Sequence, residues 1–142
     1  MPPGVDAILE SIDLVKAGNA PKIPQDEAGA TYEAPCDDRV ARIDWEKPAG
    51  ELYNLVRGCD PQPGAFALLN GEKVRFYGAR LIEESTDKAP GTILAVDDQG
   101  IHVAVSGATL VAGKVRPAKG KKVVAAEFAV AQGLKAGDMF DK

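Results

Sequence analysis

The stretch AFALLNGEKVRFYGARLIEE, residues 65–84, carries the clearest indication of fold in this chain of 142 residues. Its centre, Asn70-Gly71, suits a two-residue type I′ turn, because both central residues of that turn need positive φ. In the second run, polar residues alternate with Val74 and Phe76, and Gly78 interrupts the run where the alternation changes phase. We therefore predict a β-hairpin whose second strand contains a bulge or a sharp bend at Gly78.

Other segments add short strands and two helices. TILAVDDQGIHVAVSGATLVAGKVRPA, residues 92–118, contains three apolar runs separated by turn-forming residues, and RVARIDW, residues 39–45, predicts a further strand. Helical spacing occurs in residues 48–58 and 123–133. These segments predict a mainly β fold with some α: a small, closed, OB-like antiparallel β-barrel of about five or six strands, with a helix feeding the barrel and a short C-terminal helix.

The first part of the chain has a different composition. Residues 3–17 place apolar side chains at helical spacing, and Gly18 follows in the position of a helix stop. The next segment is rich in proline, glycine and acidic residues and has no apolar periodicity. We therefore predict three parts: an isolated helix over residues 1–18, a linker over 19–39 and the barrel over 40–142.

The joint RGCDPQPGA connects the first barrel helix to the hairpin. Its two prolines and Gly64 prevent the helix from continuing and set the chain extended. We expect Arg57 and Asp60 to pair with Asp44 or with backbone groups, which makes the joint a scaffold; direct substrate contact is the alternative. The residues given this structural role are Asp44, Arg57, Pro63 and Gly64.

Charge is distributed unevenly along the sequence. The formal net charge is −4, but residues 1–46 hold ten acids and four bases, whereas residues 47–142 hold eleven acids and thirteen bases. Only the second part, at +2, has the sign to face a polyanion such as nucleic acid. These residues indicate a solvated basic surface, with a polyanion contact as the alternative. Arg80 lies on the predicted hairpin. The candidate nucleic-acid-binding residues are Lys73, Arg75, Lys114, Arg116, Lys119, Lys121 and Lys122.

The sequence contains no recognisable catalytic, cofactor-binding or metal-binding motif. Cys36 and Cys59 are far outside a C-x-x-C spacing, and the single histidine, His102, has no nucleophile at a recognisable distance. We expect two reduced thiols, with a disulfide or a reactive thiol as the alternatives, and a surface histidine. Glycine-rich nucleotide motifs and long apolar segments are also missing from the sequence, and we predict a cytoplasmic location.

Six phrases of the sequence follow the order found in one protein family. They are PQDEAGATY (24–32), ARIDW (41–45), PAGELYNLVRGCDPQPGA (48–65), PGTIL (90–94), GIHVAV (100–105) and VRPAKGKKVVAAEF (115–128). Together with the hairpin they resemble the C-terminal domain of the methionyl-tRNA formyltransferase family, a group of 10-formyltetrahydrofolate-dependent enzymes. The resemblance covers essentially the whole chain.

This resemblance implies a parent enzyme that transfers the formyl group of 10-formyltetrahydrofolate to an amine, with methionyl-tRNA as the first candidate. The family's catalytic asparagine, histidine and aspartate belong to a preceding domain, so none is expected here, and His102 is not the catalytic histidine. The helix over residues 1–18 would be the end of that domain, which makes Met1 the edge of a fragment. We expect this chain alone neither to bind folate tightly nor to catalyse.

The resemblance leaves the partners open. In the transfer-RNA enzymes the barrel offers a positive surface to the acceptor arm, which residues 114–122 would supply here, although a pI of about 5.0 argues against it. The alternatives are the barrel of a 10-formyltetrahydrofolate hydrolase- or dehydrogenase-like enzyme or of a sugar-nucleotide formyltransferase-like enzyme, and a freestanding binding module. The expected partners are the missing catalytic domain, transfer RNA and, through the N-terminal helix, a second copy of the chain.

Overall fold

The computed structural model describes residues 3–141, which divide into two compact units with the boundary between Ala34 and Pro35. The first unit contains α1 (Pro3–Lys16), which confirms the predicted helix, and a 3-10 turn at Glu27–Gly29. None of the described α1 side chains is buried, so its apolar face is exposed. The predicted domain limits at residues 18 and 39 remain a prediction.

The second unit is an antiparallel sheet with helices. Its helices are α2 (Asp38–Ala41), α3 (Ala49–Gly58) and α4 (Ala125–Gln132), and its strands are β1 (Phe66–Leu69), β2 (Glu72–Ile82), β3 (Ile93–Asp97), β4 (Gly100–Val105), β5 (Ala108–Pro117) and β6 (Val123–Val124). The strand order is β1-β2-β5-β4-β3, and β6 pairs with β5. The prediction of a mainly β fold with a few helices is confirmed. None of the helices between residues 3 and 141 combines the length and hydropathy needed to cross a membrane.

The hairpin that opens the sheet has the predicted turn. Asn70 and Gly71 have φ of 50° and 83°, and Leu69 pairs with Glu72 across them. Gly78 has φ of 57°, yet the register of β2 against β5 is the same on both sides of it, so this glycine bends the strand without adding a residue. The register shift in this sheet lies instead between β3 and β4.

Both helices predicted for the barrel are present. α3 begins directly after Pro48 and buries Leu52 and Val56, which lie one turn apart on the same side of the helix. α4 ends at Gly133, which takes a left-handed conformation with φ of 65°, as an αL helix stop requires. The helical periodicity of the sequence therefore located the two helices.

The predicted closure of the barrel is wrong. β1 and β3 are at opposite ends of the strand order and do not pair with each other. The C-terminal segment 137–141 bonds to both instead: the Asp141 amide donates to Leu68 O at 2.7 Å, and the Ile93 amide donates to Asp138 O at 2.7 Å. This segment occupies the edges that strand pairing would have joined, and it protects them from unwanted pairing.

The strand predicted at residues 39–45 is also wrong in its first half. Residues Asp38–Ala41 form α2, because the Asp37 carboxylate accepts a hydrogen bond from the Arg39 amide at 2.9 Å and caps the helix. The chain then becomes extended and makes a single parallel bridge, between Arg42 and Phe66. A local cap therefore outweighs the alternation of apolar residues.

Three aromatic rings hold the C-terminal segment against the sheet. The ring centroids of Phe76 and Phe140 are 5.1 Å apart, and those of Trp45 and Phe140 are 5.9 Å apart. The Trp45 Nε1–H donates to Asp141 Oδ2 at 2.7 Å, and the Leu68 amide donates to Asp141 Oδ1 at 3.0 Å. The core and the edge of the sheet thus depend on the same few residues.

We predict that Phe140→Ala lowers the free energy of unfolding by about 3–5 kcal/mol, because Phe140 is 2% exposed and its loss leaves a cavity. Val130→Ala, at a position 79% exposed, is the control and should change it by less than about 0.5 kcal/mol. Urea unfolding followed by Trp45 fluorescence measures both. Equal effects of the two substitutions would contradict the role given to Phe140.

Candidate nucleic-acid interface

Alternate residues of β2 and β5 place basic side chains on one face of the sheet. Arg75 is directly opposite Arg116, and Tyr77 is directly opposite Lys114. Directly paired residues project to the same face, and Lys73 joins them because it is two residues before Arg75. The intervening residues of the two strands project to the other face and are part of the core. We call the first side the Tyr77 face; its members are Lys73, Arg75, Tyr77, Lys114, Arg116 and Lys122.

Tyr77 is the platform under two of these cations. The Lys122 ammonium is 3.5 Å from the centre of the Tyr77 ring, and the Arg116 guanidinium carbon is 5.8 Å from it. Both distances are in the range of cation–π attraction. Because Tyr77 is only 1% exposed, its ring positions cations and cannot stack on a base.

Asp38 neutralises part of the Tyr77 face. Its carboxylate accepts hydrogen bonds from Lys73 Nζ at 2.7 Å and from Arg75 Nη2 at 2.8 Å. The bond from Lys73, followed by the bond from Arg75, holds the pKa of the Asp38 carboxyl below its usual value. Asp38 is therefore ionised at neutral pH, and these two cations are already paired.

The joint between α3 and β1 lies on the same face. The Gly64 carbonyl accepts from Arg75 Nη1 at 2.8 Å, and the Pro63 carbonyl accepts from Arg116 Nη2 at 3.4 Å. The Asp60 carboxylate accepts from the Gly78 amide at 2.9 Å and is 3.8 Å from Lys122 Nζ. Asp60 thus makes the backbone pairing expected of it, and the joint anchors the basic side chains.

Gly64 is the residue that lets the joint approach Tyr77. Its φ is 83°, and a Cβ at this position would overlap Tyr77 Oη. Within residues 3–141 this hydroxyl has no hydrogen-bond partner, although it is buried. Only glycine fits this position, because the backbone has positive φ and because a side chain would overlap Tyr77.

The expected pairing of Arg57 with Asp44 does not form. Arg57 Nε donates to Asn54 Oδ1 at 2.9 Å, because Asn54 is three residues earlier on the same face of α3. The Asp44 carboxylate accepts from the Glu46 amide at 3.1 Å and so stabilises its own turn. Both residues are structural contacts of the local chain, separate from the Tyr77 face.

Four of the seven predicted cations have no carboxylate partner within residues 3–141. Lys119 and Lys121 are exposed in the loop between β5 and β6, and Lys114 is exposed at the edge of the Tyr77 face. The Arg116 guanidinium donates to the Pro63 carbonyl and lies over the Tyr77 ring. Arg80, which is also basic, donates to Gln99 Oε1 at 2.7 Å. The four unpaired cations are Lys114, Arg116, Lys119 and Lys121.

His102 belongs to a turn. Its Nε2 is 3.0 Å from Asp97 Oδ1, and the same carboxylate oxygen accepts from the Gln99 amide at 2.8 Å. The contact with His102 is the main reason that the pKa of Asp97 is lowered. The His102 side chain is 17% exposed, so it is less accessible than the surface position predicted for it. Its contacts stabilise the connection between β3 and β4.

Two cavities differ in their charge. A cavity of about 350 Å³ at the Tyr77 face is lined by Cys36, Gln62, Pro63, Arg75 and Arg116. A cavity of about 580 Å³ lies near Phe140, and its two arginines, Arg39 and Arg42, are already paired with Asp37 and Asp141. Among residues 3–141, no three histidine, cysteine or acidic side chains are placed to hold a metal ion. The cavity at the Tyr77 face is thus the one with an unpaired cation.

Sequence reasoning identified the cations but missed their partners. The alternation of Lys73, Arg75 and Tyr77 at every second residue was the available signal that they share a face. Asp38 and Asp60 reach this face from distant parts of the chain, and no local pattern reveals such contacts. The ring centre of Phe66 is 4.8 Å from Lys73 Nζ. This contact was also missed, although the turn at Asn70-Gly71 places Phe66 opposite Arg75 in the same hairpin.

The family model and the curated relatives that match this chain indicate the same family. The model of the formyl transferase C-terminal domain matches residues 37–133. The methionyl-tRNA formyltransferase of Moorella thermoacetica is 38% identical over 87% of this chain and 39% of its own length, and that of Bacillus velezensis is 34% identical over 96% of this chain and 43% of its own length. This chain therefore spans about two fifths of the length of these curated relatives.

Solved structures with a similar fold include HypX from Aquifex aeolicus. One HypX variant superposes with a TM-score of 0.71 and 23% identity over 93% of this chain and 24% of its own length. HypX in complex with tetrahydrofolic acid superposes with a TM-score of 0.69 and 23% identity over 97% of this chain and 26% of its own length. At 23% identity, these superpositions show a shared fold.

We predict that Gly64→Ala destabilises the second unit more than Gly71→Ala does. Both glycines have φ of 83°, but only Gly64 would place its new methyl group against Tyr77. Gly71→Ala should cost about 1 kcal/mol from the backbone alone, and Gly64→Ala at least about 2 kcal/mol more from the overlap. Thermal unfolding of the two variants measures the difference, and equal costs would show that the joint does not press on Tyr77.

Proposed function

The chain belongs to the family of formyltransferase C-terminal domains, and on this premise we propose that it is the acceptor-binding domain of a cytoplasmic enzyme that formylates methionyl-tRNA. The enzyme would take the formyl group from 10-formyltetrahydrofolate. The observation that carries the proposal is the Tyr77 face, where basic side chains from β2, β5 and the following loop are gathered on one side of the sheet. The names of the curated relatives agree with this acceptor.

The Tyr77 face suits contact with a phosphate backbone better than recognition of bases. The Tyr77 ring and the neighbouring Phe66 ring are buried beneath cations, so charged side chains rather than aromatic surface face the solvent. Lysine and arginine contacts to phosphates give affinity without sequence preference. We therefore propose that this domain holds the transfer RNA, while the rest of the enzyme selects the amine to be formylated.

Folate is better placed outside this chain. A pterin ring is usually held against apolar or aromatic surface, whereas the aromatic residues beside the two cavities, Tyr77, Trp45 and Phe140, are all buried. The residues present do not fit the cofactor. We propose that it binds in a preceding catalytic domain, and that the helix over residues 1–18 is the end of that domain.

A second candidate function is support of an enzyme with a small acceptor. It is favoured by the neutralisation of three cations of the Tyr77 face. Lys73 and Arg75 pair with Asp38, and Lys122 lies near Asp60. A domain that only supports an enzyme with a small acceptor, such as a folate hydrolase or a sugar-nucleotide formyltransferase, needs no free positive surface. Measuring transfer-RNA binding against salt distinguishes the two, since each phosphate contact releases counterions.

We predict that Lys119→Gln/Lys121→Gln weakens transfer-RNA binding by the purified chain. The slope of log K against log salt should become shallower by about 1–2, and affinity at low salt should fall roughly tenfold. Lys88→Gln/Lys135→Gln removes the same charge from exposed positions elsewhere and should change affinity less than about twofold. Labelled transfer RNA in a fluorescence-anisotropy titration at several salt concentrations provides the data. Binding that is undetectable for the unmodified chain would favour the small-acceptor function.

We also predict that Asp38→Asn strengthens transfer-RNA binding, because it frees Lys73 and Arg75. Affinity at low salt should rise several-fold and the salt slope should steepen by about 1 per added contact. Asp87→Asn makes the same charge change at an exposed position and is the control. If the two variants gain equally, the effect comes from net charge, and Asp38 does not compete with phosphate. The ion pairs of Asp38 with Lys73 and Arg75 are partly exposed, so their loss should lower the free energy of unfolding by only about 0.5–1 kcal/mol.

A further inference from the structure

The two cysteines of the chain meet beside the Tyr77 face. Cys36 Sγ is 3.5 Å from Cys59 Sγ, although the residues are distant in sequence. Cys59 is buried and Cys36 is exposed. We propose that Cys36 and Cys59 are a reversible oxidation site, which closes to an intramolecular disulfide on exposure to a peroxide and opens again with a thiol reductant.

Contacts that do not involve sulfur hold both cysteines in place. Cys59 follows α3, where its amide donates to Leu55 O at 3.0 Å and its carbonyl accepts from the Gly64 amide at 2.8 Å. Cys36 is directly followed by Asp37, which caps α2, and then by Asp38, which binds the cations of β2. The sulfur atoms therefore stay near each other when reduced, and only a small movement would bring them to bonding distance.

The surroundings give the two thiols different roles. Burial, with the hydrogen bond to Cys36 as a second cause, raises the pKa of Cys59 to about 11, so this thiol is protonated at neutral pH. Cys36 is exposed and lines the cavity that also contains Arg75 and Arg116. Cys36 is thus the sulfur that a peroxide in solution meets first.

The chemistry balances with hydrogen peroxide as the only oxidant. The Cys36 thiolate attacks one peroxide oxygen, the O–O bond breaks, and the released hydroxide takes a proton to leave as water; Cys36 becomes a sulfenic acid. Cys59 then loses its proton as its sulfur attacks Cys36 Sγ, and the sulfenic oxygen leaves with that proton as a second water. Two thiols and one peroxide give one disulfide and two waters.

The disulfide would close a loop that contains α2 and α3 and would fix Asp38 beside Lys73 and Arg75. Cross-linking a loop of this size removes freedom mainly from the unfolded chain. For a unit of about a hundred residues, the melting temperature should rise by roughly 10 °C. The oxidised and reduced proteins should therefore differ in thermal stability while keeping the same fold.

The test is to treat the purified chain with a small excess of hydrogen peroxide, block remaining thiols and digest with trypsin without reduction. We expect a linked pair of peptides, residues 23–39 and 58–73, lighter than the two free peptides by two hydrogen atoms. Addition of dithiothreitol should separate them. Circular dichroism should show the melting temperature rising by roughly 10 °C on oxidation and returning on reduction.

Cys36→Ser is the control, because it replaces the exposed cysteine and leaves the core intact. Its melting temperature should match that of the reduced unmodified chain and should not change with peroxide. Oxidation of Cys36 to sulfinic acid without linked peptides, or a dimer joined through Cys36, would overturn the proposal. A linked pair without a rise in melting temperature would overturn the role given to the loop.

Discussion

The antiparallel pairing of β2 with β5 is the constraint on which the rest of the second unit depends. It is the long central ladder of the sheet, with β1 on one side and β4 and β6 on the other. Because side chains alternate along paired strands, one register decides both faces at once. Phe76 and Val115 project into the core, and Tyr77 and Lys114 project to the Tyr77 face. A slip by one residue would bury the lysines and expose the core.

The joint RGCDPQPGA packs on this ladder and holds its basic side chains in place. It ends α3 and then lies across β2, where two of its carbonyl groups accept from Arg75 and Arg116 and Asp60 accepts from the backbone at the bend of Gly78. The joint therefore connects the helix, the strand bend and the basic side chains. The glycine at position 64 is required because the contact with Tyr77 leaves no space for a side chain. The stretch that ends α3 is thus also a packing element of the Tyr77 face.

The sequence predicted the local features well and the distant contacts poorly. The hairpin, α3 and α4 follow from Asn70-Gly71 and from helical periodicity, since each depends on residues close in the chain. The closure of the barrel was wrong because segment 137–141 bonds to both sheet edges, and nothing in its short sequence indicates such pairing. The contact of Asp38 with Arg75 could not be predicted, and a link between Cys36 and Cys59 was only an alternative, because these contacts arise only when separate elements pack. The basic residues could be identified from the sequence, but their pairing with Asp38 and Asp60 could not.

The position of Asp38 limits how much positive charge this acidic chain presents on the Tyr77 face. Ten of the acids lie in the first 46 residues, and one of them, Asp38, folds back onto Lys73 and Arg75, where it would compete with the proposed phosphate contact. The proposed phosphate contact would use unpaired cations such as Lys114 and Arg116 directly, but it would reach Lys73 and Arg75 only by displacing Asp38. Cys36 precedes Asp38 by two residues, so the proposed disulfide would hold the competing carboxylate in place. Oxidation and phosphate binding would then act on the same short segment in opposite directions, because one fixes it and the other requires it to move.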